Sequence, residues 1–210
     1  MGRHPAHLAA VRRIETRRAI LDAAHTLVAA DGYGAAEMNA VARRAGVATG
    51  TLYRHFDSKG ELLAEVFREA AGREQALIAA IVDNHDSSVR ERLARAVETF
   101  ARRALAAPTL AYALMAEPVD PAVEAARLES KRDYRDVFAV LLEEGAESGE
   151  IAPLDAPVVA SALVGALQEA LIGPLADQYS GDALVASLVS FALRSAGVQD
   201  TIREEIHGHR

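Results

Sequence analysis

The sequence has no cysteine and no tryptophan, and five tyrosines and five phenylalanines are its whole aromatic complement. Without thiols there is no disulfide framework, no cysteine nucleophile and no thiolate-ligated zinc or iron–sulfur centre. The N-terminal region lacks the long apolar run that a signal sequence or membrane anchor needs. A soluble, cytoplasmic protein with no membrane partner is therefore expected. The most apolar stretch, Ala156 to Ala176, is interrupted by Gln168, Glu169 and Pro174 and is expected to be a buried helix. Strand-favouring residues are sparse and never alternate with polar ones. Alanine fills about a fifth of the 210 positions, and it leads the helix-propensity ranking. The expected fold is all-α, with about nine helices and no fixed-period repeat.

The net charge of −7 conceals an asymmetry. Residues 1–60 hold nine Lys/Arg against five Asp/Glu, while the remainder holds 14 against 25. A modestly basic head precedes a strongly acidic body. Nucleic-acid binding requires local positive potential rather than a basic total.

Apolar spacing and end signals place the helices. Ile20, Leu21, Ala24, Leu27 and Val28 form one stripe of a helix from about Thr16 to Ala30. Met38, Val41, Ala42 and Ala45 repeat the spacing, and Gly46 forces a turn. A short third helix follows, with Leu52 and Phe56 as inward anchors. Ser58 with Glu61, and Ser88 with Glu91, read as capping boxes. Further helices span about 58–81, 88–106, 110–115 and 122–147, the last stopping at Gly149. Asp155 and Pro157 open a helix that ends near Gln178, and the last covers 183–195. The expected domains are 1–57, whose first dozen residues form a flexible arm, and 58–198, followed by a tail at 199–210.

Two short helices joined by a tight glycine turn and braced by a longer one make a helix-turn-helix, whose second helix enters the DNA major groove. With Val47, Leu52 and Phe56 turned inward, the third helix presents Thr49, Gly50, Thr51, Tyr53, Arg54 and His55. Each of these side chains can donate a hydrogen bond and none is acidic, which suits a polyanion. Gly50 lets the backbone approach closely. Lys59 stands at the head of the fourth helix, where a phosphate would meet an ammonium and the positive end of the helix dipole.

The pattern Ala42-x-x-x-Gly46-Val47-x-x-Gly50-Thr51-Leu52-Tyr53-x-His55-Phe56-x-Ser58-Lys59-x-x-Leu62 resembles the DNA-binding domain of the TetR family of bacterial transcriptional regulators. The resemblance spans about fifty residues, Arg18 to Phe67. It implies that Asn39 and Thr49 touch base edges, that Thr51, Tyr53 and His55 bond phosphates or nearby bases, and that Lys59 clamps a phosphate. Arg44 and Arg54 are additional contacts, and Arg12, Arg13 and Arg17 a basic arm. Two departures stand out. The family usually carries a threonine pair where this chain has Ala36-Glu37, and serine where it has Ala48. Losing a cap costs about 0.5–2 kcal/mol, and Glu37 beside DNA is unfavourable.

The body is expected to dimerise and to receive a ligand. Val159, Ala162, Leu163, Ala166 and Ala170 of the eighth helix, with Leu184, Leu188 and Phe191 of the ninth, make a candidate dimer surface; an intramolecular core is the competing use. Phe100, Tyr112, Met115, Tyr134, Phe138 and Gln168 are candidate lining for an unidentified small molecule. Aromatics at helical spacing, such as Tyr134 and Phe138, are more often core than lining. Gln168, polar in an apolar helix, wants a ligand or a backbone carbonyl. The whole then reads as a non-enzymatic, homodimeric repressor released from a palindromic double-stranded operator by a small-molecule ligand, although activation is also compatible. No cofactor or metal is expected. The competing classes are a protein-interaction module without DNA binding and a helical metal enzyme. The metal enzyme would need paired Glu-x-x-His motifs, and only Asp22-x-x-His25 and the terminal Glu204-x-x-His207 approach that pattern.

Overall fold

Several helix ends carry a local signal in the chain. In a computed structural model describing residues 5–177 and 181–198, the described residues form nine α-helices and no strand. They are α1 Pro5–Asp31, α2 Met38–Ala45, α3 Thr49–Leu52, α4 Lys59–Val82, α5 Val89–Ala106, α6 Pro108–Met115, α7 Pro121–Ser148, α8 Ala156–Ala176 and α9 Asp182–Ser195. Gly46 ends α2 at φ +70°, and Val47 N–H donates back to Ala42 C=O at 3.0 Å, a glycine-dependent helix stop. Ser88 and Glu91 cap α5 reciprocally: Ser88 N–H donates to Glu91 at 3.0 Å, and Glu91 N–H to Ser88 Oγ at 3.2 Å. The box at α4 is displaced by one residue, since Glu61 accepts from the N–H of Asp57 rather than of Ser58. Asp155 caps α8 through Val158 N–H. Ala48 and Glu37 stand at the N-caps of α3 and α2 without a capping bond.

The first helix begins at Pro5, not near Thr16. Apolar periodicity missed this half because Leu8, Val11 and Ile14 are exposed there, so no core writes a stripe into it. A short 3-10 turn at Tyr33–Ala35 was also unforeseen. The tail at 199–210, Gln178 and the Glu204-x-x-His207 motif lie outside the described residues.

The chain divides into two compact units, Met1–Arg73 with Ala107–Ser130, and Glu74–Ala106 with Lys131–Arg210. The core of the first gathers Ile20, Ala24 and Val28 of α1, Val41 of α2, Leu52, Phe56, and Leu62, Val66 and Phe67 of α4, with Ala113 of α6 and Val123 of α7. In the second, Val89, Leu93 and Val97 of α5, Leu141 and Leu142 of α7, Leu163, Leu167 and Leu171 of α8, and Val185 and Leu188 of α9 are buried. The side chain of Arg92 is buried with them, donating to Val82 C=O at 2.8 Å and to both oxygens of Glu144. That partner holds the Glu144 carboxyl below its usual range.

Candidate nucleic-acid interface

The α2–turn–α3 corner sits on α1 through Val41, Ala42, Leu52 and Phe56, all buried. That anchoring turns the other face outward. Asn39, Arg44, Gly50, Tyr53 and Arg54 are exposed, and Thr49, Thr51, His55 and Lys59 are partly exposed. Tyr53, at 54% exposure, is a large apolar ring with no core role. Phe56, at 1%, is core, with the Arg17 guanidinium 4.7 Å above its ring.

Asn39 and Thr49, the two base-reading candidates, meet across the turn: Thr49 Oγ1 donates to Asn39 Oδ1 at 2.9 Å. The bond links the two side chains across the turn. Arg12, Arg13, Thr16, Thr51, Arg54 and His55 line one open groove, where the early start of α1 brings its arginines to α3. Arg17 is paired with Glu65 and lies over the Phe56 ring. Desolvation, followed by the charges of Arg13, Arg17 and Arg54, keeps the His55 imidazole below its ordinary pKa and hence neutral near pH 7. Its Nδ1 is buried without a hydrogen-bond partner. His25 is lowered in the same direction, by desolvation and then by Arg73, whose guanidinium lies 2.9 Å from its Nε2.

Three residues make contacts of consequence that no motif announces. Glu37 is ion-paired with Lys59. Glu117, just past α6, accepts from Tyr33 N–H at 2.9 Å and Gly34 N–H at 3.2 Å, tying the 3-10 turn to a segment 84 residues away. Gly32 permits that approach, since a Cβ there would lie 2.6 Å from Glu117 Oε2, and its φ is +78°. Arg127, buried, donates to Ala113, Leu114 and Glu117 carbonyls and to Glu124. Apart from the Arg127–Glu124 pair at i,i+3, no local pattern announces these contacts.

In the second unit Phe100, Tyr134, Phe138 and Gln168 line one apolar cavity with Ile78, Val164 and Leu167. Its volume is about 10 Å³, room for one water at most. Phe100 and Tyr134 meet edge to face at 5.7 Å. Tyr112 and Met115 do not line it; they belong to the first unit. Burial raises the Tyr134 phenol above its ordinary pKa. Arg102 and Arg103 are engaged by Glu98 and Asp182, and by Glu74. Of the dimer candidates, Leu163 and Leu188 are buried within the single chain and belong to its own core. Val159, Ala166 and Leu184 are partly exposed, and Ala162, Ala170 and Phe191 are exposed, with Val158 and Gly165 beside them. The eighth helix is thus buried on one side only.

Residues 20–66 match the family model described as "Bacterial regulatory proteins, tetR family", and residues 86–171 match "Tetracyclin repressor-like, C-terminal domain". The chain belongs to the TetR family of transcriptional regulators. It is 49% identical over 69 residues to the HTH-type transcriptional repressor KstR of Mycobacterium tuberculosis, an alignment covering 33% of this chain and 30% of KstR. The match to the first such relatives therefore spans about a third of their length. It is 27% identical over 155 residues to the fatty acid metabolism regulator protein of Bacillus subtilis, covering 71% of this chain and 78% of that one. Its fold matches the fatty acid degradation regulator FadR of Bacillus halodurans with a TM-score of 0.70 at 26% identity, over 87% of this chain and 99% of FadR.

Proposed function

We propose that this TetR-family regulator acts as a homodimeric, cytoplasmic repressor that binds a palindromic operator through α3 and releases it when an apolar small molecule enters the second unit. The observation that carries the reading is the outward face of α3 and of the turn that follows it, residues 49–55. Thr49, Thr51, Tyr53, Arg54 and His55 are donor-bearing, free of carboxylates and held by a buried back face. Two such faces related by a two-fold axis match half-sites about one helical turn apart. The exposed small and apolar residues of α8 and α9 (Val158, Ala162, Gly165, Phe191) supply a self-complementary surface for that symmetry.

The lining of the cavity favours a fatty-acyl or comparably apolar ligand, in keeping with the names of the two fatty-acid regulators. The cavity has room for no more than a water, so ligand selects a wider conformer. Ile78 lines it, and the same helix, α4, begins at Lys59. Coupling between operator and ligand is then reciprocal and about 1–3 kcal/mol.

Selection of bound duplexes from random DNA, followed by sedimentation of the complex, tests the reading. A palindromic consensus bound by two subunits is expected; no enrichment, or a stable single subunit on DNA, overturns it. Lys59→Ala is expected to weaken binding to every duplex alike and to lower the salt slope by about one. Unchanged affinity at low and high salt removes the phosphate role. Asn39→Ala or Thr49→Ala is expected to relax sequence preference by about 1–3 kcal/mol at one position. Equal loss on all sequences refutes base reading there.

A further inference from the structure

Lys59 is already occupied. Its Nζ is ion-paired with Oε1 of Glu37, which stands at the N-cap of α2 where a capping hydroxyl would ordinarily sit. Glu37 makes no capping bond; its backbone is extended there, at φ −67° and ψ 142°, and its carboxylate turns to the first residue of α4 instead. The two side chains are 67% and 36% exposed. A pair so open to water is weak enough to be displaced, yet it puts an anion on the ammonium that a backbone phosphate would use. Resting on the DNA-binding reading above, we propose that Glu37 is a built-in competitor of the DNA phosphate, holding Lys59 in the free protein and setting back the affinity for all duplexes by the same factor.

The chemistry follows from the charges. On DNA, Lys59 exchanges one anion for another, and the released carboxylate is left beside the phosphate backbone. A neutral side chain at position 37 leaves the ammonium free and removes that repulsion. Because a backbone phosphate carries no sequence information, the penalty falls equally on operator and random DNA.

The test is a double-mutant cycle read by fluorescence anisotropy on a labelled random-sequence duplex and on a selected operator, using the full chain. Glu37→Gln is expected to tighten binding to both by about fivefold, the size of an exposed ion pair. In the Lys59→Ala background the same change is expected to tighten binding by less than about twofold, since the partner it frees is gone. Thermal melting of each variant checks that the head remains folded. Equal tightening with and without Lys59 overturns the proposal, leaving only general repulsion by Glu37. No change in either background overturns it as well. If no variant binds any duplex, the DNA-binding reading falls with it; wild-type binding with an inert Glu37→Gln sinks this inference alone.

Discussion

Phe56→Ala is expected to destabilise the protein by about 3–5 kcal/mol, while Tyr53→Ala, three residues away, costs less than about 0.5 kcal/mol. Phe56 is 1% exposed in the cluster that also holds Ile20, Leu52 and Leu62. Removing its ring opens a cavity that the surrounding helices cannot fill, and strips Arg17 of its aromatic partner. A loss of that size is a large share of the roughly 5–15 kcal/mol that a domain has in hand. DNA binding is therefore weakened by the fraction of molecules whose head is unfolded. Tyr53 presents its ring to solvent, so its truncation leaves no void. What it removes is a donor and a flat surface for the DNA. Melting curves followed by circular dichroism, together with duplex titrations, separate the two: Phe56→Ala melts early, and Tyr53→Ala melts like the parent but binds weakly. Equal melting of both variants contradicts the division of residues 49–56 into a core face and a DNA face.

That division was legible in the sequence because it is local. Leu52 and Phe56 are four residues apart, Gly46 fixes the turn, and the remaining positions sort themselves by elimination. Helix ends were legible for the same reason, since Ser88 with Glu91 and Asp155 with Pro157 write their caps into neighbouring positions. Where contacts are distant, the sequence is silent. Nothing in Glu37 or Lys59, 22 positions apart, marks them as partners. The same holds for the assignment of 107–130 to the unit that contains the head: it depends on Ala113 and Val123 entering that core, which periodicity within α6 or α7 cannot reveal. Residue type alone places Tyr112 and Met115 with the cavity aromatics, and packing separates them. The apolar breadth of α8 calls for burial on every side, and within the single chain Ala162 and Gly165 stay exposed, the face that the expected dimer would cover.

The silent contacts also carry the last expected result. Arg127→Ala is predicted to cost about 2–4 kcal/mol and to loosen a segment far from residue 127 in sequence. The last carbonyls of a helix have no partner within it, and α6 is only eight residues long, too short to hold itself together. Arg127 supplies the missing donors, at 3.2 Å to Ala113, 2.9 Å to Leu114 and 3.0 Å to Glu117. Each such bond from a charged donor contributes about 1.5–3 kcal/mol before non-additivity, and a cation at this helix end also meets the favourable end of the dipole. Alanine leaves these carbonyls without their donor and Glu124 without its ion pair. Glu117, whose carboxylate holds Tyr33 and Gly34 N–H, then loses the bond that fixes its own backbone. Hydrogen exchange at Tyr33 and Gly34 is accordingly expected to rise with that of α6, although neither residue touches the substituted side chain in the hydrogen-bond network. Arg127→Lys restores little, because one ammonium cannot reach three carbonyls and a carboxylate through a planar fork. Exchange at Tyr33 and Gly34 that stays at the parent rate while α6 opens would show that Glu117 holds the turn without help from Arg127.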